Sequence, residues 1–356
     1  MRIIIAGGGT GGHVIPGLAI ARELREHHAA ECLFIGTARG LETRLVPAAD
    51  FPLELIRVGQ LKNVSLVTRL KTLGDLPRSI LHCINFFRGY KPQALVSVGG
   101  YASGPGALAA LLLRIPVVAF EPNYVAGFAN RRIAPFVAAA GVQFPHTAKL
   151  FRNGEVTGVP IRREFFSIPS ISPNDPPTLL IFGGSQGARA LNQAVTAALP
   201  ALAASLPQLR IVHQTGPKDL AEVRAAYAAT PQLSAEVLEF LDDMPARMAQ
   251  SQVILCRSGA STVAEIAAAG RAAIFVPLPT AADDHQTKNA QAMADAHAAI
   301  LLPQNQLTPA SLTETVRTLF TNPDRILTMS AAAHSLAHPN AASRLAELVV
   351  CAARTQ

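Results

Sequence analysis

Tryptophan is absent from this 356-residue chain, aromatic residues reach only 5%, and charged residues only 15%, well below the usual quarter or so. So few charges in a chain that is 49% hydrophobic exclude a disordered polymer and require large cores. With aromatics scarce, those cores must be built from Ala, Leu, Ile and Val. The four cysteines, Cys32, Cys83, Cys256 and Cys351, lie far apart and make no CxxC pair. Three sit in apolar runs, where a buried free thiol in a reducing cytoplasm is expected. The formal charge is +7, but Lys/Arg runs and aromatic platforms are both missing, which excludes a nucleic-acid binder. A basic, apolar-rich chain can instead meet an anionic membrane surface. The longest apolar zone, 94–120, is broken by Gly99-Gly100, Gly104-Pro105-Gly106 and Arg114-Ile115-Pro116, so it reads as strand, loop, helix and strand rather than a membrane span. Arg2 precedes only Ile3, Ile4, Ile5 and Ala6 before glycines begin, too short for a secretory leader. Any membrane contact is expected to be peripheral.

What is present is alternation. Short apolar runs are separated by longer helical patterns, which predicts an α/β fold of parallel sheets covered by helices. Strands are expected at 2–6, 32–36, 53–58, 94–98, 116–120 and 137–142. The Pro-rich stretch SIPSISPNDPP, 167–177, reads as the linker. A second series follows, near 178–182, 209–214, 236–240, 252–256, 272–276 and 299–302, with helices such as 187–204 and 261–269 between. IIIAGGGTGGH opens the first half and LLIFGGSQGAR the second; each is an apolar strand, a glycine-rich turn and a helix. The repeat implies two doubly wound, Rossmann-like domains facing a central cleft that binds ligands at the strands' carboxyl ends. The expected domains are 1–163, 164–339, and a last helix in 340–356 that crosses back onto the first.

GGGTGG at 7–12 satisfies GxGxxG after a strand, but the chemistry of the common nucleotide folds is missing. The second strand ends at Gly36-Thr37-Ala38-Arg39, with no acid to hold a nicotinamide ribose, and Gly12-His13-Val14 replaces the Gly-Lys-Ser/Thr of a P-loop. What remains is a loop whose backbone N–H groups approach phosphate closely, making Gly8 and Gly9 candidates. His13 closes that loop at a helix start, where it can serve as general base toward a hydroxyl. SVGGYASGPG at 97–106 is a further strand-to-loop cluster. A second phosphate, on a different substrate, would use Gly100, Tyr101 and Ser103; simple turn-making is the other reading. FEPN at 120–123 points Glu121, a rival base, and Asn123 toward the same cleft. In the second half, Ser185 in GGSQGAR suits a diphosphate at a helix start. In CRSGASTVAEIAAAG, 256–270, a capped helix start faces phosphate while Glu265 can accept both hydroxyls of a ribose diol. Asp283, Asp284, His285 and Gln286 reach the cleft edge. Neither Asp242-Asp243 nor Asp283-Asp284 makes a DxD, so no metal and no cofactor are expected.

Taken in order, GGGTGGHVIP, GGYASGPG, EPN, GGSQGARALN and CRSGASTVAEIAAAG resemble the MurG family of GT-B glycosyltransferases over essentially the whole chain. The resemblance implies UDP-N-acetylglucosamine as donor and undecaprenyl-diphosphate-linked N-acetylmuramyl pentapeptide (lipid I) as acceptor. It implies inverting β(1→4) transfer at the cytoplasmic face of the inner membrane, for peptidoglycan synthesis. It further implies that Thr10, Gly11 and Gly12 approach the donor sugar and that Asn123 binds it. Arg162 and Ser185 then lie on the nucleotide side, and Leu241 binds uracil through its backbone. Ala260, Ser261, Thr262, Val263, Ala264 and Glu265 span sugar, phosphate and ribose, and Gln286 reaches the sugar. His285 stands where some relatives have glutamine, and GVP (158–160) where GNP is expected. The alternatives are a UDP-N-acetylglucosamine 2-epimerase using the same donor pocket, or a non-enzymatic sugar-nucleotide sensor, against which His13 speaks.

Overall fold

The computed structural model describes residues 1–58, 66–172 and 175–355, with the backbone alone at 66–73. It divides into two compact units, Met1–Ile161 with Asn340–Gln356, and Arg162–Pro339. Arg162 and Arg163 therefore belong to the second unit. The Pro-rich stretch is not the crossing point. Its Pro169 carbonyl accepts from Arg271, 3.0 Å away, and Ile171 packs on the second unit's core.

The first unit holds seven parallel strands: β1 Arg2–Gly7, β2 Glu31–Gly36, β3 Leu53–Leu55, β4 Ala94–Gly99, β5 Val117–Glu121, β6 Ala139–Val142 and β7 Gly154–Val156, ordered β3-β2-β1-β4-β5-β6-β7. Helices cover both faces, so the central strands are continuous apolar runs rather than alternating ones. Ile3, Ile4 and Ile5 are all fully buried. The expected strand at 53–58 stops at Leu55, and β7 was not anticipated. A three-residue edge strand beginning with glycine and carrying Glu155 has too little apolar pattern to be read. The helix Leu66–Tyr90 follows β3, and its half beyond residue 73 turns Cys83 and Phe87 into the core with Ile80 and Ile84 against them. The last helix, Ala341–Arg354, belongs to this unit and buries Leu345 and Val349. Gly141 in β6 has no room for a Cβ against Leu345.

The second unit holds β8 Thr178–Phe182, β9 Arg210–Gln214, β10 Ser234–Leu238, β11 Val253–Cys256, β12 Ala272–Phe275 and β13 Ala299–Leu301, all parallel, ordered β10-β9-β8-β11-β12-β13. The third run expected in this half, 236–240, is set two residues earlier, as Ser234–Leu238, because β10 pairs with β9 from Ser234. Arg271 is buried and donates to the carbonyls of Met248, Ala269, Gly270, Pro169 and Ala249. It thereby satisfies the carbonyl end of the helix Ala260–Ala269. Burial outweighs the pull of Asp175 and holds its pKa down at about 10, still charged at neutral pH.

In each sheet the order reverses once, between β1 and β4 and between β8 and β11. Such switch points open a crevice outside the carboxyl ends of the strands. The glycine-rich segments follow β1, β4, β8 and β11, the four strands that flank the two crevices.

Candidate functional site

In the first unit, two glycine loops interlock. Gly100 has φ +78°, and a Cβ there would lie 2.6 Å from the Gly8 carbonyl oxygen and 3.4 Å from His13 Nδ1. Only glycine lets the β4 loop lie against the β1 loop in this way. His13 thus sits beside Gly99 and Gly100, with its Nδ1 3.1 Å from Thr10 Oγ1. It lies in the first turn of the helix Gly11–His28, whose opening N–H groups have no partner within the helix.

Glu121 closes β5 and is buried. Its Oε1 accepts from the Asn123 N–H at 3.1 Å and from Asn123 Nδ2 at 3.2 Å; its Oε2 accepts from the Gly127 N–H at 2.9 Å and from Asn130 Nδ2 at 3.1 Å. Burial raises its pKa, against these four donors. Asn130 also donates to the Phe120 carbonyl and accepts from Ser97 Oγ, both at 2.8 Å. It therefore ties the ends of β4 and β5 together. His13, Gly99, Gly100, Asn130, Glu121 and Asn123 form one cluster at the carboxyl ends of β1, β4 and β5.

Two anion-site candidates change character. The Gly9 N–H donates to Glu42 Oε2 at 2.8 Å, and Ser103 is fully buried with its hydroxyl on the Gly100 carbonyl at 3.0 Å. Neither group points to an incoming phosphate. Glu42 and Asn130 had no sequence signal beyond nearby glycines, because each acts through residues brought from other strands.

In the second unit, Ser185 lies exposed in the turn between β8 and the helix Arg189–Ser205. Gly187 in that turn has φ +75° and no room for a Cβ against the Thr215 carbonyl. The helix Ala260–Ala269 starts directly after the β11 loop, with Gly259 as N-cap. Ala260, Ser261 and Thr262 are partly exposed there, whereas Val263 and Ala264 are buried. The side chains of Val263 and Ala264 are core, so these two residues have only their backbone to offer a ligand. Burial pushes the Glu265 carboxyl up to about 7, opposed by Arg162.

Gln286 holds its own loop: its Oε1 accepts from the Leu278 N–H at 2.9 Å, and its carbonyl accepts from the buried Ser258 hydroxyl at 2.8 Å. Asp283 and Asp284 before it adopt left-handed φ of 52° and 54°, a strained pair of the sort that marks functional loops. Leu241 is buried, and its N–H donates to Gln214 Oε1 at 3.1 Å, while Gln214 Nε2 donates to the Gly184 carbonyl at 2.9 Å. Gln214, at the end of β9, was not singled out from the sequence. Its carboxamide joins the diphosphate-type turn to the segment expected to read the base. Among the described residues, no three His, Cys, Asp or Glu side chains gather as metal ligands.

Two parallel-sheet units with glycine-rich turns at their switch points have the make-up of the GT-B fold, the fold class of this chain. The glycosyltransferase family 28 N-terminal domain matches residues 3–142, and the family 28 C-terminal domain matches residues 178–345. The chain belongs to glycosyltransferase family 28 and, within it, to the MurG family. It is 46% identical to the UDP-N-acetylglucosamine--N-acetylmuramyl-(pentapeptide) pyrophosphoryl-undecaprenol N-acetylglucosamine transferase of Solibacter usitatus, over 99% of this chain and 96% of that one. The crystal structure of Acinetobacter baumannii MurG superposes with a TM-score of 0.80 at 33% identity, covering 98% of this chain and 99% of that one. A UDP-GlcNAc 2-epimerase from Neisseria meningitidis, bound to UDP-GlcNAc, superposes with a TM-score of 0.68 at 14% identity, covering 99% and 100%. That likeness is one of fold alone.

Proposed function

We propose that this protein transfers N-acetylglucosamine from UDP-N-acetylglucosamine to lipid-linked N-acetylmuramyl pentapeptide, releasing UDP and forming a β(1→4) linkage. The observation that carries this reading is full-length similarity to transferases of that name, at 46% identity, together with helix starts and Glu265 at the second switch point. The second unit takes the UDP-sugar. The helix starts after β8 and β11 face the diphosphate with fixed N–H dipoles, and Glu265 accepts the ribose hydroxyls. The first unit takes the acceptor. His13 removes the proton from the acceptor hydroxyl as its oxygen bonds to the anomeric carbon, while the bond to UDP breaks on the opposite face. The configuration therefore inverts, and the proton ends on His13. Glu121 orders Asn123 toward the donor sugar.

The enzyme works as a peripheral protein on the cytoplasmic face of the inner membrane. Among the described residues no helix is long and apolar enough to cross a membrane. The helices Leu66–Tyr90 and Ser103–Leu112 pack together, and they leave Leu81, Leu108 and Leu112 exposed near Arg78, Arg88 and Arg114.

Purified protein given UDP-N-acetylglucosamine labelled in the sugar tests the reading. Label should enter the lipid fraction, with matching UDP release, only when the lipid acceptor is present. Donor consumption at the same rate without acceptor, yielding free sugar or an epimer, overturns it in favour of the epimerase chemistry.

A further inference from the structure

We infer that Glu42 is a positioning residue of the acceptor side: a buried carboxylate that fixes the loops after β1 and β2 in place. Glu42 opens the short helix Glu42–Ala48 and has no exposed surface. Its Oε1 accepts from the Thr37 N–H and from the Thr37 hydroxyl, both at 2.9 Å, and its Oε2 accepts from the Gly9 N–H at 2.8 Å. Burial alone would raise its pKa, but these donors outweigh burial and hold it below the usual carboxylate range, so it is an anion at neutral pH.

The backbone is shaped around it from three sides. Gly8, Gly36 and Gly40 each lack the Cβ that would strike the Glu42 side chain. The loops after β1 and β2 are thereby closed on one charge. The hold extends to the loop after β4, because Thr37 Oγ1 lies 3.3 Å from the Tyr101 hydroxyl, and Gly9 packs against the Tyr101 ring. Gly8 in turn meets Gly100, which lies against His13. A carboxylate outside any recognised motif thus sets the spacing between the two loops and the imidazole.

The anionic charge also decides where an anionic acceptor cannot sit. The Gly9 N–H is already taken, and a phosphate over Gly8–Gly9 would face a buried carboxylate at close range. The acceptor's diphosphate is left with the opening amides of the helix Gly11–His28 and the Gly100–Tyr101 turn. This assignment rests on the reading above that the first unit binds the acceptor.

Glu42→Gln tests it with almost no change of shape. Whichever way the carboxamide turns, its NH2 opposes an N–H, either of Gly9 or of Thr37. The expected result is a KM for the lipid acceptor raised by about tenfold, as for loss of one hydrogen bond to a charged group, with the dissociation constant for UDP unchanged. Amide hydrogen exchange should rise in peptides covering 7–12 and 36–41 and stay at the wild-type level in β4 and β5. Wild-type acceptor KM in the variant, or exchange raised evenly across the first unit, overturns the inference. The exchange pattern needs no turnover. If the wild-type protein fails to transfer sugar while the variant still loosens only those two loops, the proposed function falls and Glu42's hold on the loops stands.

Discussion

His13 and Glu121 are both candidate bases, and their surroundings separate them. Glu121 has both oxygens occupied, by Asn123 on one and by Gly127 and Asn130 on the other. A carboxylate so engaged orders a loop, and taking up a substrate proton would cost those contacts. His13 stands instead at a helix start beside Thr10 and the paired glycines. His13→Ala should lower kcat by about a hundredfold to ten-thousandfold and leave the UDP dissociation constant nearly unchanged. Glu121→Gln should chiefly raise the KM for the donor. Steady-state kinetics on both variants check this, and near-normal kcat in His13→Ala with abolished kcat in Glu121→Gln would reverse the assignment. Glu265 gives a pH signature. Its carboxyl sits near 7 in the folded chain against an ordinary 4.5, so the folded state binds that proton more tightly than the unfolded state. Its ionisation therefore costs stability that is fully present below pH 4.5 and lost as pH rises through 7. In the proposed role the ligand prefers the ionised form, since a carboxylate can accept from both ribose hydroxyls. UDP-N-acetylglucosamine affinity should tighten as pH rises through 7. Glu265→Ala should weaken it by about tenfold to a hundredfold, and Glu265→Gln should flatten the pH dependence. Calorimetric titration across pH 6 to 8 (about the range of cytoplasmic His and carboxyl switching) reads both effects. His13 and Glu265 could be picked out in the sequence because each lies inside a contiguous glycine- or serine-rich motif. Glu42, Asn130 and Gln214 could not, since each draws a partner from 30 or more positions away, Gly9, Ser97 and Gly184 respectively.

Elements were legible where one physical signal dominates. Continuous apolar runs such as Ile3–Ile5 give buried parallel strands, and glycines after them give turns into helices. The two doubly wound domains followed from finding that pattern twice, and the GT-B class came with the family resemblance. What escaped notice is set by tertiary pairing: β7 is too short to carry a pattern, and the Pro-rich stretch packs on the second unit because Arg271 and the core offer partners that composition does not reveal. Two elements invite direct tests. The helix Ala341–Arg354 docks its buried Leu345 over Gly141 of β6. Leu345→Ala should cost about 2–5 kcal/mol, the usual range for a large-to-small change in a close-packed core. Chemical denaturation followed by circular dichroism should show the loss, and a variant of wild-type stability would mean that the helix is not docked. At the end of β9, Gln214 is hydrogen-bonded to both Gly184 and Leu241. Gln214→Ala frees both segments, so it should weaken UDP binding and narrow the preference for UDP over other nucleoside diphosphates. Competition titrations with UDP and CDP measure that preference; an unaltered ratio and affinity would make Gln214 a bystander.

At the scale of the whole molecule, the surface charge and the lipid acceptor meet in one question, namely how a chain with no spanning helix among its described residues reaches a substrate anchored in a bilayer. The segment 64–91, in which Leu66, Leu70, Leu73, Ile80, Ile84 and Phe87 recur near helical spacing with Arg69, Lys71, Arg78, Arg88 and Lys91 between them, offers an obvious answer, but half of it is already spent. Residues 64 and 65 lie outside the described residues, as do the side chains of Leu66, Arg69, Leu70, Lys71 and Leu73, while Ile80, Ile84 and Phe87 pack into the first unit's core. On that helix and the one packed against it, the large apolar side chains exposed among the described residues are Leu81, Leu108 and Leu112. Three leucines are too few for stable insertion through this face, so the proposed contact calls for charge as well. Arg78, Arg88, Lys91 and Arg114 are all exposed here, and each basic residue close to an anionic leaflet contributes about 1 kcal/mol. That interaction is screened within about 8 Å at physiological salt. The protein should therefore co-sediment with vesicles containing anionic lipid, release as salt is raised, and bind neutral vesicles weakly. Replacing Arg78, Arg88 and Arg114 together with glutamine should reduce vesicle binding by more than tenfold, while UDP affinity should stay at the wild-type value if the nucleotide site lies in the other unit, as proposed. Replacing Leu81 and Leu112 with serine should lower binding to anionic vesicles at all salt concentrations, since the apolar part is unscreened. Binding that ignores both salt and the arginine replacements would place the membrane contact elsewhere on the chain.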